Sequence, residues 1–273
     1  MDIKRRQFLK IAGLSTIAGI GAPAAFNLLL KGQPSPVSFA SSGAETEASH
    51  EAAPTGVRLG MVINQRVFDA NRDLAQKCIT ACHTAHNVPD FGNPKDAIKW
   101  IFEVPYEKAF TEKSHYHRSE HQHESSFLVL CNHCDNPPCV RACPTKATFK
   151  RKQDGIVAMD YHRCIGCRFC MAACPYGMRS FNWRDPRPFI DKTTYNKEFP
   201  TRMRGVVEKC NFCVERLAKG LQPACVETCG NTGAMTFGDL NDPHSEIRKV
   251  LDENFTIQRK PALGTLPSLF YII

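Results

Sequence analysis

The sequence lacks the motifs that mark an enzyme working on nucleotides. It contains no glycine-rich dinucleotide fingerprint after a strand and no phosphate-binding loop. After residue 40 it also has no apolar run long enough to span a bilayer. We therefore expect no catalytic centre of the chain's own, and attachment to a membrane only through partners or the N-terminal segment.

The N-terminus has the form of an export signal. The pair Arg5-Arg6 precedes Phe8-Leu9, and a mostly apolar stretch of small residues follows from 11 to 30. The pattern over residues 1–40 resembles a twin-arginine signal, with a polar linker at 41–56. It predicts export of the folded protein to the periplasmic face of the cytoplasmic membrane. The alternatives are a retained membrane anchor and an amphipathic start to the first domain.

The chain is rich in cysteine, with fourteen residues. Eight of them form two runs: 131–144 reads C-x2-C-x4-C-x3-C-P and 164–175 reads C-x2-C-x2-C-x3-C-P. The second spacing is that of bacterial ferredoxins, and the first adds two residues to it. In such a run three thiolates surround one [4Fe–4S] cluster, and Gly166 lets the backbone turn close to it. The fourth cysteine is expected to start a helix and to ligate the neighbouring cluster.

Crossing the fourth ligands predicts two clusters. The cluster 1 set is Cys131, Cys134, Cys139 and Cys174. The cluster 2 set is Cys164, Cys167, Cys170 and Cys143. Zinc sites use four ligands in two pairs rather than eight in interlocked runs, and disulfides within such loops would be strained. Between the runs, Asp154-Gly155 predicts a hairpin turn joining strands at 148–152 and 156–160.

The other six cysteines make one complete set and one incomplete set. Residues 210–229 read C-x2-C-x11-C-x3-C, and their mate at 78–82 retains only C-x3-C. The same crossing gives the cluster 3 set, which is Cys210, Cys213, Cys225 and Cys82. Twelve of the fourteen cysteines are then used, which predicts three [4Fe–4S] clusters.

A fourth site would lack two ligands. By ferredoxin spacing, the missing thiolates would fall at Arg72 and Ala75, which cannot ligate iron. The leftover thiols, Cys78 and Cys229, are then a vestigial site and candidates for a disulfide in an oxidising compartment. The alternative is a fourth cluster rescued by the poor ligands Asp73 or Gln76, which would bring the iron content near sixteen per chain.

Four ferredoxin-type runs, one of them degenerate, resemble the electron-transfer subunits that partner molybdopterin oxidoreductases and NrfD-type membrane proteins. The likeness extends from about Gly60 to Gly238. Within this family the sequence is similar to the exported subunits of DsrMKJOP membrane complexes, the DsrO type. Three stretches carry that likeness: 81–89 (ACHTAHNVP), 202–213 (RMRGVVEKCNFC) and 237–243 (FGDLNDP). The resemblance implies three kinds of partner: a quinone-interacting NrfD/DsrP-like membrane subunit, a DsrJ-like multihaem cytochrome c and the other DsrMKJOP subunits.

The expected fold class is α+β, with two ferredoxin-like halves of the bacterial two-cluster type, one inserted in the other, and long loops. Residues 127–185 form the half with clusters 1 and 2. Residues 57–126 and 186–240 form the half with cluster 3 and the degenerate site. Residues 241–273 are predicted to be a C-terminal docking tail, with a short buried strand at the end of the chain as the alternative.

Bound clusters would also account for the net charge. The formal charge is +8, and residues 1–40 supply +4 of it from five cations and one anion. Each oxidised, thiolate-ligated [4Fe–4S] cluster adds roughly −2, so three would more than neutralise the remainder. The basic side chains are therefore expected to balance the clusters, and no nucleic-acid partner is expected.

Several histidines lie close to the cysteine runs. His83 and His86 flank Cys82, and His133 lies inside a ligand loop, so we expect all three to act on clusters through hydrogen bonds. A further group is His115, His117, His121 and His123. These four could bind a metal, but the charges around them favour a solvated or partner-facing loop.

The predicted function is the relay of single electrons between a membrane quinone-interacting subunit and an exported cytochrome c in dissimilatory sulfur metabolism. One alternative is the iron–sulfur beta subunit of an exported molybdopterin oxidoreductase or hydrogenase. Another, of a different class, is a binding module stabilised by disulfides or zinc. That module would be colourless, whereas an iron–sulfur protein is brown.

Overall fold

The computed structural model describes residues 56–112 and 125–273. The predicted export signal, almost all of the linker and the loop at 115–123 lie outside the described residues. Ten strands are described: β1 (Leu59–Asn64), β2 (Ile101–Pro105), β3 (Ser126–Leu130), β4 (Thr148–Lys150), β5 (Val157–Met159), β6 (Ser180–Phe181), β7 (Val207–Glu208), β8 (Met235–Asp239), β9 (Thr256–Ile257) and β10 (Leu269–Ile272).

Eight α-helices accompany these strands in the described residues, so the fold is mixed α and β. They are α1 (Gln65–Ala70), α2 (Arg72–Ala85), α3 (Tyr106–Ala109), α4 (Pro138–Arg141), α5 (Phe169–Ala172), α6 (Val214–Leu217), α7 (Ala224–Cys229) and α8 (Glu246–Glu253). Within 56–112 and 125–273, no helix is both long enough and apolar enough to cross a bilayer.

A four-stranded sheet joins the beginning and the end of the described chain. Its strand order is β8-β1-β10-β9, in which β1 pairs antiparallel with β8 and parallel with β10. Gly60 permits this pairing, because a Cβ at that position would lie 2.8 Å from the Ser268 carbonyl oxygen. Leu269 and Tyr271 of β10 are wholly buried. For 269–272 the alternative of a short buried strand is therefore confirmed and the docking tail is wrong, because these residues form an interior strand of the sheet.

The predicted hairpin between the two regular cysteine runs is confirmed. Strands β4 and β5 pair antiparallel, with Thr148 opposite Met159. The turn contains Gly155 at φ +74°, a left-handed conformation that glycine adopts without a Cβ penalty. The Asp154 carboxylate accepts a hydrogen bond from the Ile156 N–H at 3.1 Å and closes the turn.

Helix α2 is the longest helix described, and it stands where a ligand loop would be expected. Its buried positions include Leu74, Cys78 and Cys82, spaced four residues apart, so one face of the helix is apolar. That face packs against α7. The sequence therefore continues a helix through the place where the other runs form a cluster-binding loop.

Candidate iron–sulfur centres

The three C-x2-C loops share one backbone feature. In each loop the residue before the second cysteine has a positive φ: 41° at His133, 71° at Gly166 and 55° at Phe212. The expected role of Gly166 in the turn is therefore confirmed, but only one loop uses glycine for it. A Cβ at Gly166 would lie 2.5 Å from the Gly205 carbonyl oxygen, so close packing excludes a side chain there. His133 and Phe212 instead stack on each other, with ring centroids 3.7 Å apart.

In each of the two regular runs a short helix carries the third cysteine and ends just before the fourth. Cys139 lies on α4 and Cys170 lies on α5, while Cys143 and Cys174 come two residues after those helices end. The prediction that the fourth cysteine starts a helix is therefore wrong. The chain reverses just after each helix, where the Cys143 and Cys174 carbonyls accept hydrogen bonds from residues three positions on. Helices α4 and α5 pack together, which brings the two runs into contact.

The structure brings the members of the cluster 1 set together. The pKa of Cys134 is raised to about 12, first by burial and then by neighbouring thiols. Those neighbours are the other three members of the set: Cys131, Cys139 and Cys174.

The cluster 3 set is also assembled, and all four of its cysteines are buried. Burial raises the pKa of Cys225 well above the usual thiol value, and neighbouring thiols raise it further. The first three of these neighbours are the remaining members of the set: Cys213, Cys82 and Cys210.

The cluster 2 set is the most exposed of the three. Burial raises the pKa of Cys170, Arg179 opposes this, and nearby thiols raise it further, among them Cys164 and Cys143. Cys167 follows Cys164 and Gly166 in the same loop. Cys143, Cys164 and Cys167 are all half-buried. This set therefore lies nearest to the surface.

The donor chemistry of the three sets fits [4Fe–4S] clusters. All fourteen cysteines lie within the described residues and none is in a disulfide. Backbone N–H groups point at the sulfurs, from Phe212 to Cys210 at 3.4 Å and from Ala224 to Cys213 at 3.4 Å. Closely spaced thiolates repel one another, and bound cluster iron would supply the positive charge that holds four of them together.

Electrostatic interactions link the cluster 1 set to each of the other two sets. Cys139 of the cluster 1 set raises the pKa of Cys170 in the cluster 2 set. On the other side, Cys131 of the cluster 1 set raises the pKa of Cys210 in the cluster 3 set, after burial and nearer thiols. The cluster 1 set therefore neighbours both other sets, and the stacked rings of His133 and Phe212 join its loop to that of the cluster 3 set.

The fourth site lacks the ligands of a cluster. Ala75, at one missing ligand position, is buried on the apolar face of α2, and Arg72, at the other, is exposed. Asp73 and Gln76 are also exposed and face solvent. Only Cys78 and Cys229 remain, both within the core.

Two of the histidines predicted to act on clusters, His86 and His83, have different surroundings in the structure. His86 lies at the cluster 3 set, with Nδ1 3.7 Å from the Cys82 sulfur and Nε2 2.7 Å from a Glu215 carboxylate oxygen. Burial acts to lower the pKa of His86, but hydrogen bonds to Cys213, Cys82 and Glu215 raise it well above its usual value. His83 instead lines a surface pocket beside Asp90, and no hydrogen bond from it to a sulfur is found among the described residues.

His133 is held neutral inside its ligand loop. Burial lowers its pKa well below the usual value, and the cations Lys209 and Arg179 lower it further. Its Nδ1 accepts a hydrogen bond from the Val157 N–H at 3.1 Å. A neutral imidazole adds no charge between the cluster 1 and cluster 3 sets.

Sequence reasoning did not single out the buried cations. Arg179 donates from Nη2 to the Cys139 sulfur at 2.9 Å and to the Thr148 hydroxyl at 3.0 Å. Lys209 is buried and donates to two backbone carbonyls, one of them that of Cys210. Neither has an ion-pair partner among the described residues. The one available signal was position, since Lys209 directly precedes a ligand and Arg179 follows Cys174 by five residues.

We expect Arg179→Met to lower the reduction potential of the cluster 1 carrier. A buried guanidinium stabilises the more negative, reduced state, and a hydrogen bond to a charged group contributes about 1.5–3 kcal/mol. For a one-electron couple, where 59 mV is a tenfold change, that energy corresponds to a fall of about 65–130 mV. An EPR-monitored redox titration of the cluster-loaded protein measures it.

Arg141→Met is the matched control for that substitution. Arg141 lies two residues after Cys139 in sequence, but its side chain is exposed and contacts Asn136. Its removal is expected to leave all potentials unchanged, because water screens an exposed charge. Equal potentials in Arg179→Met and the unchanged protein, with the same number of EPR signals, would contradict the role of Arg179.

Comparison with known proteins agrees with this chemistry. A family model described as a 4Fe-4S dicluster domain matches residues 125–189 and 184–240. The chain is 44% identical over 204 residues to the Hdr-like menaquinol oxidoreductase iron-sulfur subunit 1 of Archaeoglobus fulgidus, covering 71% of each protein.

Two further relatives are matched over more of their own length. The menaquinone reductase iron-sulfur cluster-binding subunit of Nitratidesulfovibrio vulgaris is 35% identical over 221 residues, 71% of this chain and 82% of that protein. The arsenate respiratory reductase iron-sulfur subunit ArrB of a Shewanella species is 34% identical over 251 residues, 79% of this chain and 96% of that protein.

Proposed function

The chain belongs to the family of iron–sulfur subunits that transfer electrons within oxidoreductase complexes, and we propose that it is a DsrO-type member with three [4Fe–4S] clusters. As an electron-transfer subunit it has no catalytic site of its own. It exchanges electrons with a quinone-interacting membrane subunit of the NrfD/DsrP kind and with an exported multihaem cytochrome c of the DsrJ kind. The sequence stretches that resemble DsrO support this assignment, and the names of the two menaquinol- and menaquinone-linked relatives support the quinone-interacting partner.

One observation supports the proposal most: Cys134 and Cys225 each have the other three cysteines of their predicted sets as electrostatic neighbours. Each bound cluster would supply a reversible one-electron couple. In this proposal the three sets form a row, and the cluster 1 and cluster 3 sets border the apolar core. The protein also balances their negative charge with buried cations, including Arg179. This arrangement suits the transfer of electrons along a line of carriers.

The cluster 2 end is the proposed junction with the membrane subunit. Its ligand loop exposes Ile165 (67%) and Phe169 (60%) to solvent. Two large apolar side chains exposed beside a half-buried sulfur set are typical of a protein interface. The basic side chains of Arg163 and Arg168 border them.

The proposal includes the domain arrangement and the location. Residues 127–185 form a two-cluster half that is inserted between 57–126 and 186–240. The twin-arginine pattern at 1–40 supports export in the folded state, which a protein carrying cytoplasmically assembled clusters requires. The complex then lies on the periplasmic face of the cytoplasmic membrane and serves dissimilatory sulfur metabolism.

The first test is the iron and acid-labile sulfide content of anaerobically purified protein, with EPR after dithionite reduction. We expect about twelve irons per chain and three reducible centres. A content of about sixteen would contradict the proposal and would mean that non-cysteine ligands complete the fourth site. A colourless protein would instead favour a module stabilised by disulfides or zinc.

A second measurement tests the partners. The tagged chain, captured from detergent-solubilised membranes of its own host, should bring with it a quinone-interacting membrane subunit and a multihaem cytochrome c. Capture with a molybdopterin subunit in place of the cytochrome would contradict the DsrO-type assignment. It would favour the beta subunit of an exported molybdopterin oxidoreductase.

A further inference from the structure

Cys78 and Cys229 are two buried thiols that none of the three cluster sets uses. Their sulfurs lie 3.3 Å apart, and their residues are 0% and 2% exposed. A disulfide bond is about 2.05 Å long, so the sulfurs need to approach by only a little over 1 Å. The described structure holds them as free thiols with their sulfurs in contact.

A metal is a poor occupant for this position. Two sulfurs supply half of the ligands that zinc or a cluster iron site requires. The neighbouring residues on the same face of α2 are Leu74 and Ala75, which have no ligand atoms. Asp73 and Gln76, the nearest candidates in sequence, are exposed on the opposite face. The chemistry left to the pair is the oxidation of two thiols to a disulfide and its reversal.

The pair is directly connected to the cluster 3 set. Cys78 lies one helical turn before Cys82 on α2, and Cys229 lies one turn after Cys225 on α7, a spacing that puts side chains about 5–6 Å apart. The Cys78 thiol also donates a hydrogen bond to the Cys225 carbonyl at 3.5 Å. Both thiols are therefore adjacent to a proposed ligand, at the deeply buried end of the row.

We propose that Cys78 and Cys229 are a redox-active dithiol–disulfide pair that exchanges two electrons with the one-electron carrier at the cluster 3 set. In the reducing direction, the Sγ–Sγ bond breaks, two electrons arrive one at a time from that iron–sulfur centre, and two protons from water complete two thiols. In the other direction, the two thiols release two protons to water and pass two electrons, one at a time, to the oxidised centre, and the Sγ–Sγ bond forms. This inference rests on the proposed function, which places the carrier there.

Protons have a short route to the pair. Cys229 is the last residue of α7, and the residues after it, 230–233, are exposed. The Thr232 hydroxyl donates to the Cys229 carbonyl at 2.8 Å, so this exposed turn is hydrogen-bonded directly to one residue of the pair. Exchange with water requires only local opening of the turn. The row of one-electron carriers would thereby end in a dithiol–disulfide pair, whose reduced form holds two electrons.

Thiol mapping tests the inference without any variant. The full-length, cluster-loaded protein is poised anaerobically at a series of potentials, quenched with acid and an alkylating reagent, and digested. Mass spectrometry then measures the fraction of Cys78 and Cys229 in a linked peptide. We expect linkage when the clusters are oxidised and alkylation of both thiols when they are reduced. A pair that is alkylated at every potential, or linked at every potential, overturns the proposal.

Electron counting gives an independent result. In a coulometric titration the unchanged protein should take up about five electrons per chain, three by the clusters and two by the disulfide. The double variant Cys78→Ser/Cys229→Ser should take up about three. Iron and EPR signals are counted in the same samples. A protein without three clusters contradicts the proposed function. Three clusters with an uptake of only three electrons in the unchanged protein overturns this inference alone.

Discussion

Replacing Cys143 by alanine is expected to remove the cluster 2 carrier and to leave the cluster 1 carrier in place. Cys143 belongs to the first run by sequence, but its neighbours in space are Cys170 and the loop of the second run. Hydrogen bonds from the backbones of Thr148, Ala147 and Thr145 lower its pKa against the effect of burial, which prepares a thiolate ligand. The protein should lose about four of twelve irons, as iron analysis will show.

The identity of the lost centre shows whether the fourth cysteine of each run ligates the cluster of the other run. The EPR signal missing from Cys143→Ala should match the one missing from Cys164→Ala and differ from the one missing from Cys131→Ala. Cys229→Ala is the matched control, because it removes the fourth cysteine of another run, yet should keep all twelve irons. A shared loss in Cys143→Ala and Cys131→Ala would contradict crossed ligation and favour uncrossed sets.

Local patterns were the part of the fold that sequence could predict. The hairpin at 148–160 follows from the turn at Asp154-Gly155, and the tight ligand loop follows from Gly166. These features depend on residues close in sequence, whose φ preferences and hydrogen bonds are intrinsic. The grouping of cysteines into sets of four also came from spacing, and the assignment of iron to those sets stays a prediction.

Features that depend on distant residues could not be predicted in the same way. The end of the chain, 269–272, pairs with β1 about two hundred residues earlier, and no local signal separates such a strand from an exposed tail. The left-handed conformations of His133 and Phe212 are supported by their mutual stacking, which only the assembled loops provide. The partner of Arg179 could not be predicted either, because Cys139 lies forty residues earlier in the sequence.

The fourth site shows how tertiary packing overrides a repeated motif. The spacing located the missing ligands at Arg72 and Ala75 but gave no reason for their absence. In the structure, α2 continues through this position and buries Leu74 and Ala75 against the core. Apolar packing of the helix has replaced the ligand loop, so restoring cysteines there would also require a new backbone conformation.

The buried ion pair of Arg202 and Glu208 fixes the end of α2 beside the cluster 3 loop. Both side chains are 0% exposed, and Arg202 Nε lies 2.9 Å from Glu208 Oε2. The guanidinium also donates to the carbonyls of His86 and Asn87, directly after α2. The carboxylate accepts from Trp100 at 2.9 Å, which in turn stacks on His86. One network therefore joins the segment bearing Cys82 to the strand that precedes Cys210.

Glu208→Ala is expected to destabilise the protein by about 3–5 kcal/mol, because it leaves the buried Arg202 cation without its counter-charge. Arg202→Met/Glu208→Leu should recover only part of this loss, since the carbonyls of His86 and Asn87 then lose their donor. Cluster proteins unfold irreversibly, so the measured quantity is the rate at which visible cluster absorbance is lost at a fixed elevated temperature.

Glu198→Ala is the control for this loss, because it breaks an exposed ion pair with Lys219 and should leave the rate unchanged. Which cluster is lost first is more informative than the overall rate of loss. The network contacts the chain around the cluster 3 set, so mild heating of Glu208→Ala should bleach the cluster 3 EPR signal before the other two. Simultaneous loss of all three signals would show that the ion pair supports the fold as a whole. Its role in holding Cys82 beside Cys210 would then be wrong.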